Sequence, residues 1–295
     1  LIVPTGNAAE ASLVCNRVIA VDSLSDVCAH LAGRKPIAVT TRTDPPNIET
    51  VQKDLRDVRG QQQARRALEI AAAGGHNLLL VGPPGTGKSM LARRLPGILP
   101  SMTNEEALQT AAVNSVLGVG IELRSMRQRP FRSPHHTASA AALVGGGPGP
   151  RPGEISRAHN GVLFLDELPE FNRRALEVLR EPLETGAITI ARAGGQADYP
   201  ARFQLIAAMN PCPCGYLGDR FADCRCSADR VVAYRRRISG PLLDRIDLHV
   251  EVSRPATNSL KANGVSAESS RDVRTRVEAS RRLQLDRSGS CNACL

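Results

Sequence analysis

The stretch Asn77-Leu78-Leu79-Leu80-Val81-Gly82-Pro83-Pro84-Gly85-Thr86-Gly87-Lys88-Ser89 decides the fold. Its first half is a short unbroken apolar run, the pattern of a parallel strand buried on both faces. Its second half has the spacing G-x-x-x-x-G-K-[ST], and Met90 to Leu95 continues as a helix. Strand, glycine loop and helix in this order make a phosphate-binding loop. Glycines let backbone N–H groups turn inward on an anion, Lys88 reaches the β and γ oxygens of a nucleotide, and the Ser89 hydroxyl is a ligand for Mg²⁺. The expected cofactors are ATP and Mg²⁺, held by Gly82, Pro83, Pro84, Gly85, Thr86, Gly87, Lys88 and Ser89.

Upstream, Gln61, Ala64, Leu68 and Ile70 recur on a helical period, and Gly74-Gly75 end that helix as a glycine cap does. Downstream, two more apolar runs are predicted to end at the same edge. Gly161-Val162-Leu163-Phe164-Leu165 runs into Asp166-Glu167, and Phe203 to Met209 runs into Asn210. Open parallel sheets place ligands at the carboxyl ends of their strands. Asp166 is therefore expected to hold the metal, Glu167 to orient and deprotonate the attacking water, and Asn210 to hold that water or the γ-phosphate. Without the phosphate loop, the same carboxylates read as a helix cap and Asn210 as a turn residue before Pro211. Leu242-Leu243-Asp244-Arg245-Ile246-Asp247 leads into another strand. Arg245 there is either a catalytic arginine reaching a neighbour's γ-phosphate or an ordinary partner of Asp244 or Asp247.

The fold expected from these runs is α/β, a largely parallel five-stranded sheet with helices on both faces. With 42% apolar and 23% charged residues in 295, the chain is neither disordered nor collagen-like, and it lacks an apolar run of about 18 residues that would cross a membrane. The balance of 38 Lys+Arg to 29 Asp+Glu gives +9, which points to an anionic partner such as nucleic acid or to a merely soluble surface. Only 3% of residues are aromatic, so any nucleic-acid contact is expected to go to the phosphate backbone rather than to stacked bases. Leu1 stands where a start Met would, so the numbering is expected to begin inside a longer chain.

Cys212-Pro213-Cys214 and Cys224-Arg225-Cys226 put two thiol pairs on either side of a polar, glycine-containing loop. Four thiolates make a tetrahedral site for structural Zn²⁺, and the alternatives are unligated thiols or disulfides, the last disfavoured in the cytoplasm. Cys15 and Cys28 read as core packing. Cys291-Asn292-Ala293-Cys294 has knuckle spacing without a second pair.

These residues resemble a family: the magnesium-chelatase-like group of AAA+ ATPases, and within it the ComM/YifB family. The resemblance runs through Val58-Arg59-Gly60-Gln61, Gly74-Gly75-His76-Asn77, the phosphate loop, Pro130-Phe131-Arg132-Ser133-Pro134-His135-His136, Pro152-Gly153-Glu154-Ile155 and Asn210-Pro211-Cys212-Pro213-Cys214-Gly215. It implies that Val58 and Gln61 lie near the adenine, that Asn210 is the sensor of the γ-phosphate and that Arg245 acts on a neighbour's nucleotide. It further implies residues 1–43 as the end of a Lon-protease-like domain, 51–254 as the ATPase core with a Cys-rich insert at 212–226, and 255–295 as a truncated helical region. A glycine-rich loop at Gly145–Pro150 and a hairpin around Ile188–Gln196 fit the same family as inserts, with Arg192 a candidate DNA-phosphate contact. His135-His136 is expected to order its loop. The activity implied is that of a cytoplasmic hexameric ring driving branch migration of DNA in transformation and recombination. The alternatives are the ATPase subunit of a magnesium chelatase, or a nucleotide-binding remnant without turnover.

Overall fold

The computed structural model describes residues 1–40, 53–119, 126–147, 150–192, 195–254 and 267–294. Pro148 and Gly149 of the glycine-rich loop and Ala193-Gly194 of the expected hairpin lie outside them. The chain divides into two compact units, one of Leu1–Thr50 with Thr103–Arg127, the other of Val51–Met102 with Gln128–Leu295. Residues 103–127, counted within the ATPase core in the sequence, thus group with the amino-terminal segment.

In the first unit, β1 (Ile2–Pro4) and β2 (Ile19–Val21) pair in parallel. The helix Leu24–Leu31 is capped by Ser23, whose side chain accepts from the Asp26 amide. The helix Asn104–Val116 opens on a full capping box between Thr103 and Glu106.

The second unit is built on a five-stranded sheet. Its strands are β3 (Leu78–Val81), β4 (Phe131–Arg132), β7 (Val162–Leu165), β10 (Gln204–Met209) and β11 (Leu248–Glu251), arranged β11-β3-β10-β7-β4 with all pairings parallel. Two short antiparallel ribbons project from it: β5 (Gly145–Gly146) with β6 (Arg151–Pro152), and β8 (Ala187–Arg192) with β9 (Gly195–Pro200).

Alternation along the three central strands divides the core in two. Leu78, Leu80, Val162, Phe164, Ile206 and Ala208 pack with Ala64, Leu68, Leu91, Leu95, Val273 and Val277 from helices on one face. Leu79, Leu163, Leu165, Leu205, Ala207 and Met209 pack with Leu143, Ile155, Leu176 and Leu242 on the other. Period-two side-chain direction turns a continuous apolar run into two separate hydrophobic surfaces. No helix among the described residues is long and apolar enough to cross a membrane.

The helix Ser270–Ser288 packs one side against this core and leaves Arg271, Glu278 and Arg282 exposed on the other. Val273 and Val277 are buried, and its arginines take carbonyls that other helices leave open at their ends. Arg281 donates to the Ala72 and Ala73 carbonyls, closing the helix Gln62–Gly74, and Arg274 donates twice to the Gly97 carbonyl. Gln204 does the same from inside the sheet, its Nε2 donating to the Ala71 carbonyl at 2.9 Å and the His76 carbonyl at 2.6 Å. The Ala71 carbonyl keeps the amides of Gly75 and His76 as donors, so Gln204→Ala strips its donor chiefly from the His76 carbonyl and is expected to cost about 1–3 kcal/mol, read as a lower urea midpoint and melting temperature.

Candidate active site

The site forms where β3, β7 and β10 end. Gly82 has no room for a side chain: a Cβ there would lie 2.1 Å from the Val252 carbonyl oxygen, just past β11. Gly85 and Gly87 take φ values of 75° and 90°, a region where a Cβ clashes with the following carbonyl. The loop is held closed by Thr86 Oγ1, which donates to the Pro83 carbonyl at 3.0 Å.

Lys88 opens the helix Lys88–Ala92 and is only 8% exposed. Its ammonium donates to the carbonyls of Gly82 at 2.6 Å and Pro83 at 2.9 Å, and to Asn210 Oδ1 at 3.2 Å. Burial pushes its pKa below the usual lysine value, while the charges of Asp166 and Glu167 pull it back. Ser89 Oγ donates to Asp166 Oδ2 at 2.5 Å, which places a hydroxyl and a carboxylate oxygen side by side, the hard-oxygen pair that Mg²⁺ prefers.

Glu167 sits in the left-handed region at φ 56°, a strained conformation for a side chain of its size. Its carboxylate pairs with His136 Nδ1 at 2.9 Å. The His136 ring packs 4.1 Å from that of His135 and edge-on to Phe171. The sequence suggested only loop ordering for this histidine pair, so the contact with Glu167 was missed. Its one signal was position, because His136 lies a few residues beyond β4, an edge strand two residues long and too short to register as an apolar run.

Val58 is buried in the core, 4% exposed, and Gln61 ties the loop down. Gln61 Nε2 donates to the Thr86 carbonyl at 3.1 Å and the Ser253 carbonyl at 2.7 Å, from a backbone at φ 51°. Arg245 is not among the residues brought together here. Its carbonyl accepts from Asn77, which precedes β3, so its backbone lies at the amino edge of the sheet, while the phosphate loop leaves the carboxyl edge. Its guanidinium pairs with Glu184 at 2.7 Å rather than with Asp244 or Asp247, and Asp247 accepts from the Asn77 amide.

Two residues past Asn210, the cysteines converge. The sulfurs of Cys212, Cys214, Cys224 and Cys226 all lie within 4.8 Å of one another, and none is in a disulfide. Amides of Tyr216 and Arg225 donate towards Cys214 and bring its thiol down to about 6. The Cys226 amide works the same way on Cys224, but burial and the adjoining sulfurs of Cys214 and Cys212 outweigh it and push that thiol up to about 12.

The magnesium chelatase subunit ChlI family matches residues 54–260. YifB of Salmonella typhimurium is 51% identical and the competence protein ComM of Haemophilus influenzae 49% identical, each over the whole of this chain, and the chain spans 58% of the length of both. The magnesium-chelatase 38 kDa subunit of Cereibacter sphaeroides is 26% identical over 74% of this chain and 60% of its own. The chain belongs to the magnesium chelatase family of AAA+ ATPases, in its ComM/YifB branch, as the sequence motifs implied.

The two kinds of glycine in the loop separate by experiment. Gly85→Ala meets nothing within 4 Å and carries only the left-handed penalty, about 1 kcal/mol. Gly82→Ala must move either β11 or the loop, so scanning calorimetry is expected to show the larger loss of melting temperature for Gly82→Ala, accompanied by weaker binding of a fluorescent ATP analogue.

Proposed function

We propose that this chain is the ATP-hydrolysing part of a cytoplasmic, ring-forming motor that drives branch migration of DNA during transformation and recombination. The observation that carries the reading is the meeting of Lys88, Ser89, Asp166, Glu167 and Asn210 at one sheet edge, with Lys88 bonded to Asn210 and Ser89 to Asp166. When bound, Mg²⁺ supplies charge neutralisation on the β and γ oxygens. Ser89 and Asp166 would hold it. Lys88 would exchange its loop carbonyls for phosphate oxygens, Asn210 would sense the γ-phosphate, and Glu167 would take the proton of the attacking water. Val58 and Gln61 would flank the adenine. The four cysteines would hold one structural Zn²⁺.

Arg245 supports the ring. Its backbone lies at the amino edge of its own sheet and its half-exposed guanidinium pairs with Glu184, so it would act on the nucleotide of a neighbouring copy, in a ring proposed as a hexamer. The DNA role rests on the net charge of +9 and on the near-half identity to a competence protein. On this reading, residues 1–43 close a Lon-protease-like domain, 51–254 are the motor and 255–295 belong to its helical region.

A second reading, the ATPase subunit of a magnesium chelatase, is favoured by the family match itself. The identity of 49% to ComM against 26% to the chelatase subunit favours the DNA motor. A third reading is nucleotide binding without turnover.

ATP hydrolysis by the purified chain, with and without branched DNA at low salt, decides among them. Stimulation by DNA, abolished in Lys88→Ala and Glu167→Gln, is the expected result. Support of metal insertion by chelatase partner subunits without DNA stimulation selects the second reading, and binding without hydrolysis at high protein concentration the third. Arg245→Ala is expected to keep nucleotide affinity within about twofold while turnover falls by roughly 10³, measured by steady-state hydrolysis alongside equilibrium binding.

A further inference from the structure

We infer that the zinc ion held by Cys212, Cys214, Cys224 and Cys226 braces the phosphate loop, so that metal occupancy sets nucleotide affinity. The inference rests on the nucleotide reading of that loop. Ligand geometry comes first. Sulfurs about 2.3 Å from a tetrahedral zinc ion stand roughly 3.8 Å from one another. The observed separations are 3.4 Å for Cys212 to Cys214, 3.7 Å for Cys212 to Cys224 and 3.6 Å for Cys214 to Cys224. They are far too long for disulfides at about 2.05 Å, and close to the edges of such a tetrahedron.

The segment between the thiol pairs has little else to order it. Residues 215–223 contain neither helix nor strand, and Leu217 and Phe221 are 38% and 64% exposed. A loop without an apolar core of its own takes its folding free energy from bound metal.

This loop leans on the nucleotide site at several points. Gly215 lies so close to the phosphate loop that a Cβ would stand 2.7 Å from Pro84 Cδ and 3.8 Å from Asn210 Cγ. Cys212 is fully buried and follows Asn210 by two residues, so fixing its sulfur limits where the Asn210 amide can hold Lys88. The Pro211 carbonyl accepts from Arg235, at the end of the helix Ala228–Arg235 that follows the second thiol pair. On the far side, Arg254 stacks over the Tyr216 ring and pairs with Asp219, whose side chain is 2% exposed. Arg254 follows β11 by three residues, two beyond the Val252 carbonyl that touches Gly82. The loop therefore meets the phosphate loop directly at Pro84 and is tied back to it through β11.

The test uses the whole chain. Metal content is read by atomic emission and nucleotide affinity with a fluorescent ATP analogue, before and after stripping with a zinc chelator, with circular dichroism following the fold. The expected result is one zinc per chain, at least a tenfold loss of nucleotide affinity on stripping with helix content retained, and recovery when zinc is returned. Because Cys→Ser variants can misfold, Gly215→Val provides a second arm. It is expected to keep its zinc while losing nucleotide affinity, since a side chain at φ 86° is strained and must also displace Pro84; full affinity in this variant overturns the contact between the two loops. Full affinity in the stripped chain overturns the bracing and leaves zinc binding standing. Absence of zinc, or another metal in its place, overturns the inference at its first step and leaves the ATPase reading intact. A zinc-loaded chain that binds no nucleotide overturns the nucleotide reading and this inference with it.

Discussion

The central constraint in this protein is the burial of β3, β7 and β10 on both faces. A strand with helices above and below has no solvated side on which to carry polar groups, so nearly all of its chemistry is displaced to its ends. Leu78, Leu80, Phe164 and Ile206 face one hydrophobic layer, and Leu79, Leu163, Leu165 and Leu205 the other. The residues immediately after these strands are Gly82, Asp166 and Asn210. Three points distant in sequence, with a shared strand direction, thereby become neighbours.

At that edge and away from it, several long polar side chains complete backbone hydrogen bonding. Gln61 reaches carbonyls on the phosphate loop and after β11, Gln204 takes two carbonyls at the opposite end of the sheet, and Arg274 and Arg281 close helices from outside. Long polar side chains are used here as caps because the apolar layers supply no donors of their own. The positive φ at Gln61 and Glu167 shows two sites where this arrangement holds a non-glycine residue in an unfavourable backbone conformation.

Most of the sheet was legible in sequence because its central strands are unbroken apolar runs ending in glycine, carboxylate or amide. β4 was not, since two residues carry no periodicity, and with it went the pairing of His136 with Glu167. The partner of Arg245 was misjudged for a related reason. Asp244 and Asp247 are near in sequence, whereas Glu184 arrives from the helix before a hairpin, which only tertiary packing reveals. In the charged helix Ser270–Ser288 arginines outnumber apolar residues, so its sequence does not show that Val273 and Val277 are buried. Its role depends on carbonyls of other helices, which leave no trace in its own sequence.

The environment of Lys88 has a consequence for discrimination among anions. Its ammonium already has three oxygen acceptors, two of them carbonyls of its own loop. An incoming anion must displace oxygens that the ammonium already holds through charge-assisted bonds, so it gains only from the added attraction between opposite charges and from further contacts of its own. A single weakly basic anion, such as chloride, recovers little in that exchange, while a polyphosphate that also engages the loop amides recovers much more. Such a site would act as a threshold filter on ligand charge and reach, set against small ions before any contact with a base is made.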